Sequence, residues 1–298
     1  MIQPGTTYLI TRRTIRRHHL FRPDDDITRI FNYCLAEAAE KFGVLVHSFC
    51  LMSTHVHLVL TDPHGQLSPF LERMHRHMAL GTKVLRRWEG SVWDTQATSV
   101  VRLLSPEAVV EKMAYVHVNP VAAGLVRRSR QWPGASTRPA ELGRWHVDVN
   151  RPKTYFRSEA CDARTSLRLT MPPMLEALYS DEEIREMVEE EVRRQERAAR
   201  AEVRAKGWRW VGAKQVMQGS PYDRATSYEP LRDRNPTFAV GRGQAELMKQ
   251  AKQALRAFRH AYRDALKRWR ETCAQVCFPE GTYLMQRDPR VRVGSSPG

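Results

Sequence analysis

Apolar and β-branched runs predict strands early in the chain. Residues 7–11 form one short run, and residues 44–52 and 55–60 form two more that are separated by Ser53 and Thr54. Runs of this composition, bounded by turn residues, are typical of paired strands. The last two are therefore predicted to be neighbours in a sheet with antiparallel pairing.

Helical spacing of apolar residues alternates with these runs. It predicts helices over residues 24–41 and 69–88, with a strand over residues 95–104 between the second helix and a third. Gly43 and Gly90 follow the first two helices, in positions that favour a stop.

A third helix is predicted from Pro106 to about Val118. Ser105 stands at the N-cap position and Pro106 at the first helical position, both favoured there. Pro120 disfavours the helical conformation of Asn119, so the helix is expected to end before it.

The order strand, helix, strand, strand, helix, strand, helix is that of a ferredoxin-like split βαβ unit of the α+β class. Its helices would cover one face of an antiparallel sheet and leave the other face free for a site. These elements predict a first, catalytic domain over residues 1–135.

The remaining sequence is less regular. A stretch rich in Gly, Pro and polar residues predicts a linker over residues 136–160, and residues 161–287 read as a mainly helical accessory region. Within that region the charge and apolar patterns predict helices over 181–206 and 244–270. Residues 288–298 are expected to form a flexible tail.

Charge narrows the class of partner. The 298 residues contain 48 Lys and Arg against 33 Asp and Glu, a formal charge of +15. Such an excess favours a polyanion, usually nucleic acid. No apolar run approaches the roughly 20 residues of a membrane span, and the N-terminus lacks the layout of a signal peptide. A basic surface kept for solubility is the alternative.

The cysteines indicate a reduced setting. Their number is odd, they are scattered, and none forms a Cys-x-x-Cys pair, so neither a disulfide framework nor a zinc finger is predicted. They are Cys34, Cys50, Cys161, Cys273 and Cys277. We expect a cytoplasmic, nucleoid-associated protein, and leave monomer and homodimer open.

His55 and His57 lie two apart in a predicted strand, so their side chains point to the same face and could share a divalent ion. The pair alone is weak, because 11 histidines in 298 residues give roughly 0.4 His-x-His by chance. His75 and His77 form a second pair, but in a helical pattern that favours a solvated or phosphate-facing stretch. Two hydrogen-bonded sheet histidines are the other interpretation of His55 and His57.

Tyr115 and Asn119 are four residues apart and therefore share a helix face. A phenol and a carboxamide oxygen so placed could approach the same phosphate. A tyrosine on an apolar helix is more often part of the core, which is the alternative here.

Several stretches together resemble one family. They are Tyr8-Leu-Ile-Thr, Phe49 through Leu60, Gly90-Ser-Val-Trp93 and Tyr115 through Val126, with a weaker likeness at Phe278 through Tyr283. In order and spacing they resemble the REP-associated tyrosine transposases, which belong to the HUH single-strand DNA endonucleases. The likeness covers about the first 135 residues.

The resemblance implies that His55 and His57 are metal ligands, that Asn119 is the third ligand and that Tyr115 is the nucleophile. It also implies recognition of a DNA hairpin next to the cleavage site. Residues 84–89 depart from the family, which often carries an Asn before the Gly-x-x-Trp stretch; that concerns details of the DNA substrate.

The expected reaction is metal-dependent cleavage of single-stranded DNA and strand transfer through a covalent phosphotyrosine. Histidine and amide ligands suit Mg²⁺ or Mn²⁺, and no small-molecule cofactor is expected. Tyr115 needs help to ionise near neutral pH, and Lys112, one helical turn away, is a candidate for that or for gripping phosphate.

Candidate DNA contacts are basic side chains for backbone phosphates and tryptophans for unpaired bases. They are Arg12, Arg13, Arg16, Arg17, Arg73, Arg76, Arg86, Arg87, Lys112, Arg127, Arg128, Trp88 and Trp93. Residues 207–210, with Lys214, and a basic face over residues 256–270 could add contacts or pack back on the first domain.

Two other functions share the same fold and charge. One is a nucleic-acid-binding module in which the histidines and Tyr115 only stack or pack. The other is a metal-dependent nuclease that uses water as the nucleophile.

Overall fold

The structure is a computed structural model. It describes residues 1–96, 98–153, 156, 162–227, 236–272, 275–283, 285, 288 and 291–294. The strands are β1 (Thr6–Arg13), β2 (Leu45–Met52), β3 (His55–Asp62), β4 (Ser99–Leu103), β5 (His146–Asn150), β6 (Arg164–Arg168), β7 (Phe238–Ala239), β8 (Val276–Pro279) and β9 (Val291–Gly294). The α-helices are α1 (Asp25–Phe42), α2 (Leu67–Arg86), α3 (Pro106–Ala122), α4 (Pro173–Glu176), α5 (Asp181–Ala205), α6 (Ala213–Gln218) and α7 (Ala245–Thr272).

The main sheet has the order β2-β3-β1-β4-β7. β1 pairs antiparallel with β3 and β4, and β2 pairs antiparallel with β3. With α1 between β1 and β2, and α2 between β3 and β4, this is the split βαβ arrangement. The predicted α+β fold class is confirmed.

α1 and α2 cover the first face of this sheet. Their apolar residues join Tyr8, Ile10, Val56 and Leu58 in one core. These strand residues lie at alternate positions, as a sheet buried on that face requires. Gly43, at φ 64°, ends α1 in the left-handed conformation that glycine adopts without a Cβ clash.

The opposite face is not left free, contrary to expectation. α3 packs on it, α5 packs on α3, and a second core joins them to strand residues such as Leu9, Val59 and Val101. The reason is that α3 follows the six elements of the split βαβ unit and buries its own apolar residues, such as Val109 and Met113, against this face. The apolar stripe of α5 over Ile184 and Val188 then covers α3.

α3 also runs further than predicted. Ser105 caps its start by accepting from the Ala108 N–H at 3.3 Å, but the helix passes through Pro120 to Ala122. The last turn is held because the Ala123 N–H donates to the Asn119 carbonyl at 3.0 Å and Val121 is fully buried. Tertiary packing therefore outweighs the local cost of an interior proline.

Residues 135–168 pack on β2 and α1. The Leu51 N–H donates to the Ala135 carbonyl and the Thr137 N–H to the Phe49 carbonyl, at 2.8 and 3.0 Å. The antiparallel hairpin of β5 and β6 contacts α1. β5 lies within the stretch read as a linker, and the division into domains stays a prediction.

The C-terminal region contributes in separate pieces. β7 extends the main sheet by pairing parallel with β4. α7 packs on β8, which pairs parallel with β9, around a small core that includes Ala265 and Phe278. Among the described residues, no helix has the length and apolar character to cross a membrane.

Of the described cysteines, Cys34 and Cys50 are buried and Cys277 is exposed, and these three form no disulfide. Cys161 and Cys273 lie outside the described residues. Most of the predicted tail, residues 288–298, also lies outside them.

Candidate metal and nucleophile site

The two histidines open β3 and point to the face that carries α3. In the register of the sheet, His55 lies opposite Arg13 and His57 opposite Thr11. Their ring centroids are 4.6 Å apart with the planes at 88°. The alternation of β3 thus brings both rings together, as their spacing predicts.

Each ring is oriented by a threonine at its Nδ1. Thr11 Oγ1 lies 2.8 Å from Nδ1 of His57, and Thr54 Oγ1 lies 2.8 Å from Nδ1 of His55. When Nδ1 carries the proton and the hydroxyl accepts it, Nε2 presents its lone pair to the site. Sequence reasoning missed both threonines, because the position of Thr11 opposite His57 depends on strand register.

Asn119 completes the cluster from α3. Its Oδ1 lies 3.3 Å from Nε2 of His55. Nε2 of His57 is buried and makes no hydrogen bond. Continuation of α3 through Pro120 keeps Asn119 on the helix and faces its amide toward the histidines.

Burial lowers the pKa of His57 well below its usual value, and the nearby His55 and Arg13 lower it further. The Asn119 amide acts in the opposite direction. The neutral imidazole is therefore the form present near neutral pH, and it is the form that binds metals.

These donors fit a divalent metal. Two imidazole nitrogens and one amide oxygen form a mixed N,O set suited to Mn²⁺ or Mg²⁺, and an unpaired buried Nε2 is otherwise costly. The part of the chain that the structure describes has no cluster of three His, Cys, Asp or Glu side chains. Beside the two imidazoles, the oxygen-bearing side chain is the amide of Asn119.

Tyr115 lies beside the histidines and is not a core residue. Its ring centroid is 5.3 Å from that of His57, with the planes at 81°, and its side chain is 39% exposed. Asn119 is one helical turn further along the same face. The phenol is therefore open to solvent next to the cluster of His55, His57 and Asn119.

Lys112 lies one turn before Tyr115, as predicted. Its Nζ is 6.0 Å from the centre of the Tyr115 ring and 2.8 Å from a carboxylate oxygen of Glu111. The ammonium is close enough to act on the phenol through space, although Glu111 offsets part of its charge.

Several predicted DNA contacts lie inside the fold instead. Arg86 and Trp93 are each 7% exposed. Arg86 bonds Asp24 at 2.7 Å, and Trp93 Nε1 donates to the His75 carbonyl at 2.8 Å. Arg73 pairs with the buried Glu37. Their polar groups have partners within the fold, which leaves them poorly placed for a phosphate.

Arg12 and the second histidine pair belong to the same core. Arg12 donates to Nδ1 of His75 at 2.7 Å and lies 4.9 Å from the centre of the Trp93 ring. His75 is buried and His77 half-buried, 3.8 Å from Glu37. The expectation that these two histidines are solvated or face phosphate was wrong, because His75 packs against Arg12 and Trp93 and His77 lies against Glu37 of α1.

The remaining basic candidates lie at the surface or close to it. Arg13 and Arg17 are half-buried, and the others are exposed: Arg16, Arg76, Arg87, Arg127 and Arg128. Trp88 is half-buried. These are the predicted DNA contacts that solvent can reach.

Residues 207–212 pack back on the end of α3. The Val211 and Gly212 N–H groups donate to the Gly124 and Leu125 carbonyls at 3.1 and 2.8 Å. Trp208 nevertheless keeps 43% of its side chain exposed, with Lys206 Nζ 4.7 Å from its ring. Of the two roles considered for this stretch, DNA contact and packing on the first domain, the structure shows the packing.

Comparison with known proteins gave likenesses in structure. No protein-family model matches the chain, and none of the curated proteins compared with it matches. It is similar to a REP-associated tyrosine transposase bound to a REP hairpin, with 16% identity and a TM-score of 0.41 over 53% of this chain and 94% of that one. It is also similar to a candidate transposase from Deinococcus radiodurans R1, with 19% identity and a TM-score of 0.29 over 37% and 87% of the two chains.

Proposed function

We propose that this protein is a transposase-like enzyme that cleaves and joins single-stranded DNA with a divalent metal and a covalent 5′-phosphotyrosine intermediate. The observation that carries the proposal is the meeting of His55, His57 and Asn119 beside the exposed Tyr115. Taken alone, each of these residues could have a purely structural role. Their convergence from separate elements, β3 and α3, is what a reaction centre requires.

In the proposed reaction, Oη of Tyr115 attacks the scissile phosphorus. A P–Oη bond forms, the bond from phosphorus to the 3′ oxygen breaks, and that oxygen takes up a proton as the phenol gives one up. Bond energy is thereby stored in the phosphotyrosine. Attack by another 3′ hydroxyl then joins two strands and restores Tyr115.

His55, His57 and Asn119 would hold Mn²⁺ or Mg²⁺, which when bound supplies Lewis-acid polarisation of the scissile phosphate. Thr11 and Thr54 hold the imidazole rings with Nε2 toward the site. The rigid mounting of these ligands on a strand and a helix fixes where a phosphate would lie relative to Tyr115.

Lys112 assists the same step electrostatically. Its ammonium, 6.0 Å from the ring centre, favours negative charge on the phenol oxygen and on the attacked phosphate. It cannot act as a base in that charged form, so its contribution is to stabilise developing charge.

Single-stranded DNA, with a hairpin next to the cut, is the proposed substrate. The formal charge of +15 supports a polyanionic partner. The flexible backbone of an unpaired strand can place a phosphate beside His55, His57 and Asn119. The phosphates of a stiff duplex are held on its outer surface and cannot adjust in this way.

Adduct formation tests this function. The full chain is incubated with Mn²⁺ and single-stranded hairpin oligonucleotides taken from DNA that flanks its own gene, and the products are separated on a denaturing gel. Wild type is expected to give a protein band shifted by attached DNA. Tyr115→Phe lacks the attacking oxygen and should give none.

Tyr179→Phe is the matched control, because Tyr179 is also exposed but precedes α5, outside the site. It should form adduct like wild type. Cutting by Tyr115→Phe would make water the nucleophile. Binding without cutting by wild type on every flanking hairpin would favour a non-catalytic binding module.

A further inference from the structure

A cleft of about 370 Å³ opens beside the end of β1. Its lining includes the aromatic rings of His18 and Trp88 and the charged side chains of Arg16, Glu89 and Arg224. The volume lies within the roughly 300–1,000 Å³ of small-ligand pockets. None of the steps proposed for Tyr115 uses this cleft.

The cleft lies at the same end of the sheet as the candidate metal site. Arg13, the last residue of β1, pairs with His55, and the Thr14 N–H donates to the Thr54 carbonyl at 2.8 Å. The cleft begins one residue later, at Ile15. From Arg13 to His18 the chain spans at most about 17 Å, so one DNA strand can reach both places.

Its wall is aromatic. The rings of His18 and Trp88 lie 4.9 Å apart between centroids, and Tyr222 stacks on Trp88 at 6.3 Å with 21° between planes. Trp88 uses its indole N–H on the Ser91 carbonyl at 3.0 Å. Tyr222 already stacks on the ring, so the π surface available to a base is the part of Trp88 that lines the cleft. Aromatic surfaces stack on bases of any sequence.

A C-terminal segment builds one side of the cleft. Tyr222 donates its hydroxyl to the Arg86 carbonyl at 2.6 Å, and its own carbonyl lies 2.7 Å from Nδ1 of His18. Arg224 Nε lies 3.0 Å from Nε2 of His18. This segment follows residues 1–135, which carry most of the family resemblance, by more than 80 residues.

The backbone at the mouth is strained. Arg16 and Arg17 have φ angles of 48° and 58°, a left-handed conformation uncommon for residues other than glycine. Arg17 is tied down by a hydrogen bond to Ser227 Oγ at 2.8 Å. Strain that the surrounding structure maintains is concentrated at binding sites, and here it exposes Arg16 at the cleft.

We infer that this cleft receives one unpaired base of the DNA strand that Tyr115 cuts. The base stacks on Trp88, while Arg16 and Arg224 contact the neighbouring phosphates. Glu89 can accept from the amino groups that cytosine, adenine and guanine carry and thymine lacks. The inference deepens the proposed function and rests on it for the identity of the polymer as DNA.

Binding of bases and of bare backbone can be compared directly. Anisotropy is measured for the full chain with a fluorescein-labelled strand of about twelve deoxycytidines and with an abasic deoxyribose-phosphate strand of equal length. Wild type should bind the strand with bases about fivefold to a hundredfold more tightly, the range expected for base stacking on an aromatic ring. Trp88→Leu, which fills the space without a π face, should lose that ratio.

Matched variants locate the effect. Trp88→Phe should keep most of the ratio, and Trp208→Leu, at an exposed tryptophan outside the cleft, should keep all of it. Arg16→Asn, in which asparagine tolerates the left-handed backbone, should weaken the binding of the two oligonucleotides equally. An unchanged ratio in a folded Trp88→Leu, or an equal loss in Trp208→Leu, would overturn the inference.

The adduct assay separates this inference from the proposed function. If Tyr115 forms its adduct normally but Trp88→Leu keeps the wild-type preference for the strand with bases, the inference about the cleft is wrong and the proposed function stands. If Trp88→Leu loses the preference for the strand with bases but wild type forms no adduct at Tyr115, base binding in the cleft is supported and the cleavage reaction is contradicted.

Discussion

Thr11 determines which nitrogen of His57 faces the candidate site. Its hydroxyl occupies Nδ1 at 2.8 Å, leaving the buried Nε2 for a metal. Without that partner the ring can turn or change tautomer. Hydrogen-bond partners of this kind typically contribute a factor of about 10–100 in metal affinity or activity.

Thr11→Val should therefore lower the rate of adduct formation about 10- to 100-fold and raise the Mn²⁺ concentration required. Thr11→Ser keeps the hydroxyl and should stay near wild type. The measurement is the rate of adduct formation over a Mn²⁺ titration. If Thr11→Val gives the same Mn²⁺ titration curve as wild type, Thr11 does not orient His57 for the reaction.

The arginines proposed as DNA contacts divide into those with partners inside the fold and those exposed at the surface. Arg86 donates to the Leu20 and Arg22 carbonyls at 3.2 and 3.0 Å, and pairs with Asp24. Arg76 is exposed on the same helix. Arg86→Gln should lower the free energy of unfolding by about 1–3 kcal/mol, because buried acceptors lose their donor.

Arg76→Gln is the comparison on α2. It should leave thermal stability unchanged and, if DNA passes over it, reduce the salt dependence of binding by about one phosphate contact. Thermal melting and a salt titration of DNA affinity distinguish the two variants. Equal melting temperatures for Arg86→Gln and Arg76→Gln would contradict this division.

At the scale of residues, the motifs identified the side chains that meet at the candidate site but not their hydrogen-bond partners. His55, His57, Tyr115 and Asn119 could be chosen because spacing within one strand or helix fixes a shared face. Thr11, Glu37 and the role of Arg86 depend on contacts between distant segments. Local patterns carry no information on such contacts.

Among the elements, α3 decides the geometry of the site. It begins at a cap that the sequence predicts, where Ser105 Oγ accepts from the Ala108 N–H and also from the Gly241 N–H at 3.0 Å. The same hydroxyl therefore ties the start of α3 to the segment after β7. Capping bonds of this kind are worth about 1 kcal/mol.

Ser105→Ala should lower the free energy of unfolding by about 1–2 kcal/mol, since two N–H groups lose their acceptor. Adduct formation well below the melting temperature should persist, because Tyr115 and Asn119 lie two or more turns away. Chemical unfolding and the adduct assay together check this. Loss of adduct without loss of stability would contradict it.

The far end of α3 shows why element boundaries are harder to predict than element types. Proline and its preceding residue have local preferences that favour a stop at Asn119. Burial of Val121 in the second core outweighs them. The outcome matters for function, because a helix that ended earlier would not fix the direction of the Asn119 side chain.

For the whole molecule, buried neutral histidines couple stability to pH. Burial lowers the pKa of His47 to about 4, and its ring nitrogens bond the Thr170 carbonyl at 2.8 Å and the Thr61 hydroxyl at 2.7 Å. The unfolded chain takes up this proton near pH 6.5, whereas the folded chain resists it until about pH 4. Stability is therefore full above pH 6.5 and declines as the pH falls between these values.

The contribution of His47 is a fall of at most about 1.4 kcal/mol in unfolding free energy per pH unit within that window. His47→Gln should be less stable at pH 7 and should lose this part of the pH dependence. Urea unfolding at pH 7, 6 and 5 measures both. If the unfolding free energies of wild type and His47→Gln change equally with pH, His47 is not the source of this pH dependence.

The split βαβ order was predictable because its elements are regular and consecutive. The arrangement of the C-terminal half was not. Contacts between residues far apart in sequence determine the packing of α5 on α3, the pairing of β7 at the sheet edge and the position of the segment that lines the Trp88 cleft. Such contacts follow from packing of the complete chain.

The central claim is that Tyr115 becomes covalently joined to DNA. The most direct measurement is mass spectrometry of the adduct after digestion with protease and nuclease, which identifies the peptide and the residue that carries the nucleotide. The account predicts a nucleotide attached through its 5′ phosphate to Tyr115. Attachment at another residue, or cleaved DNA with free ends and no modified peptide, would contradict it.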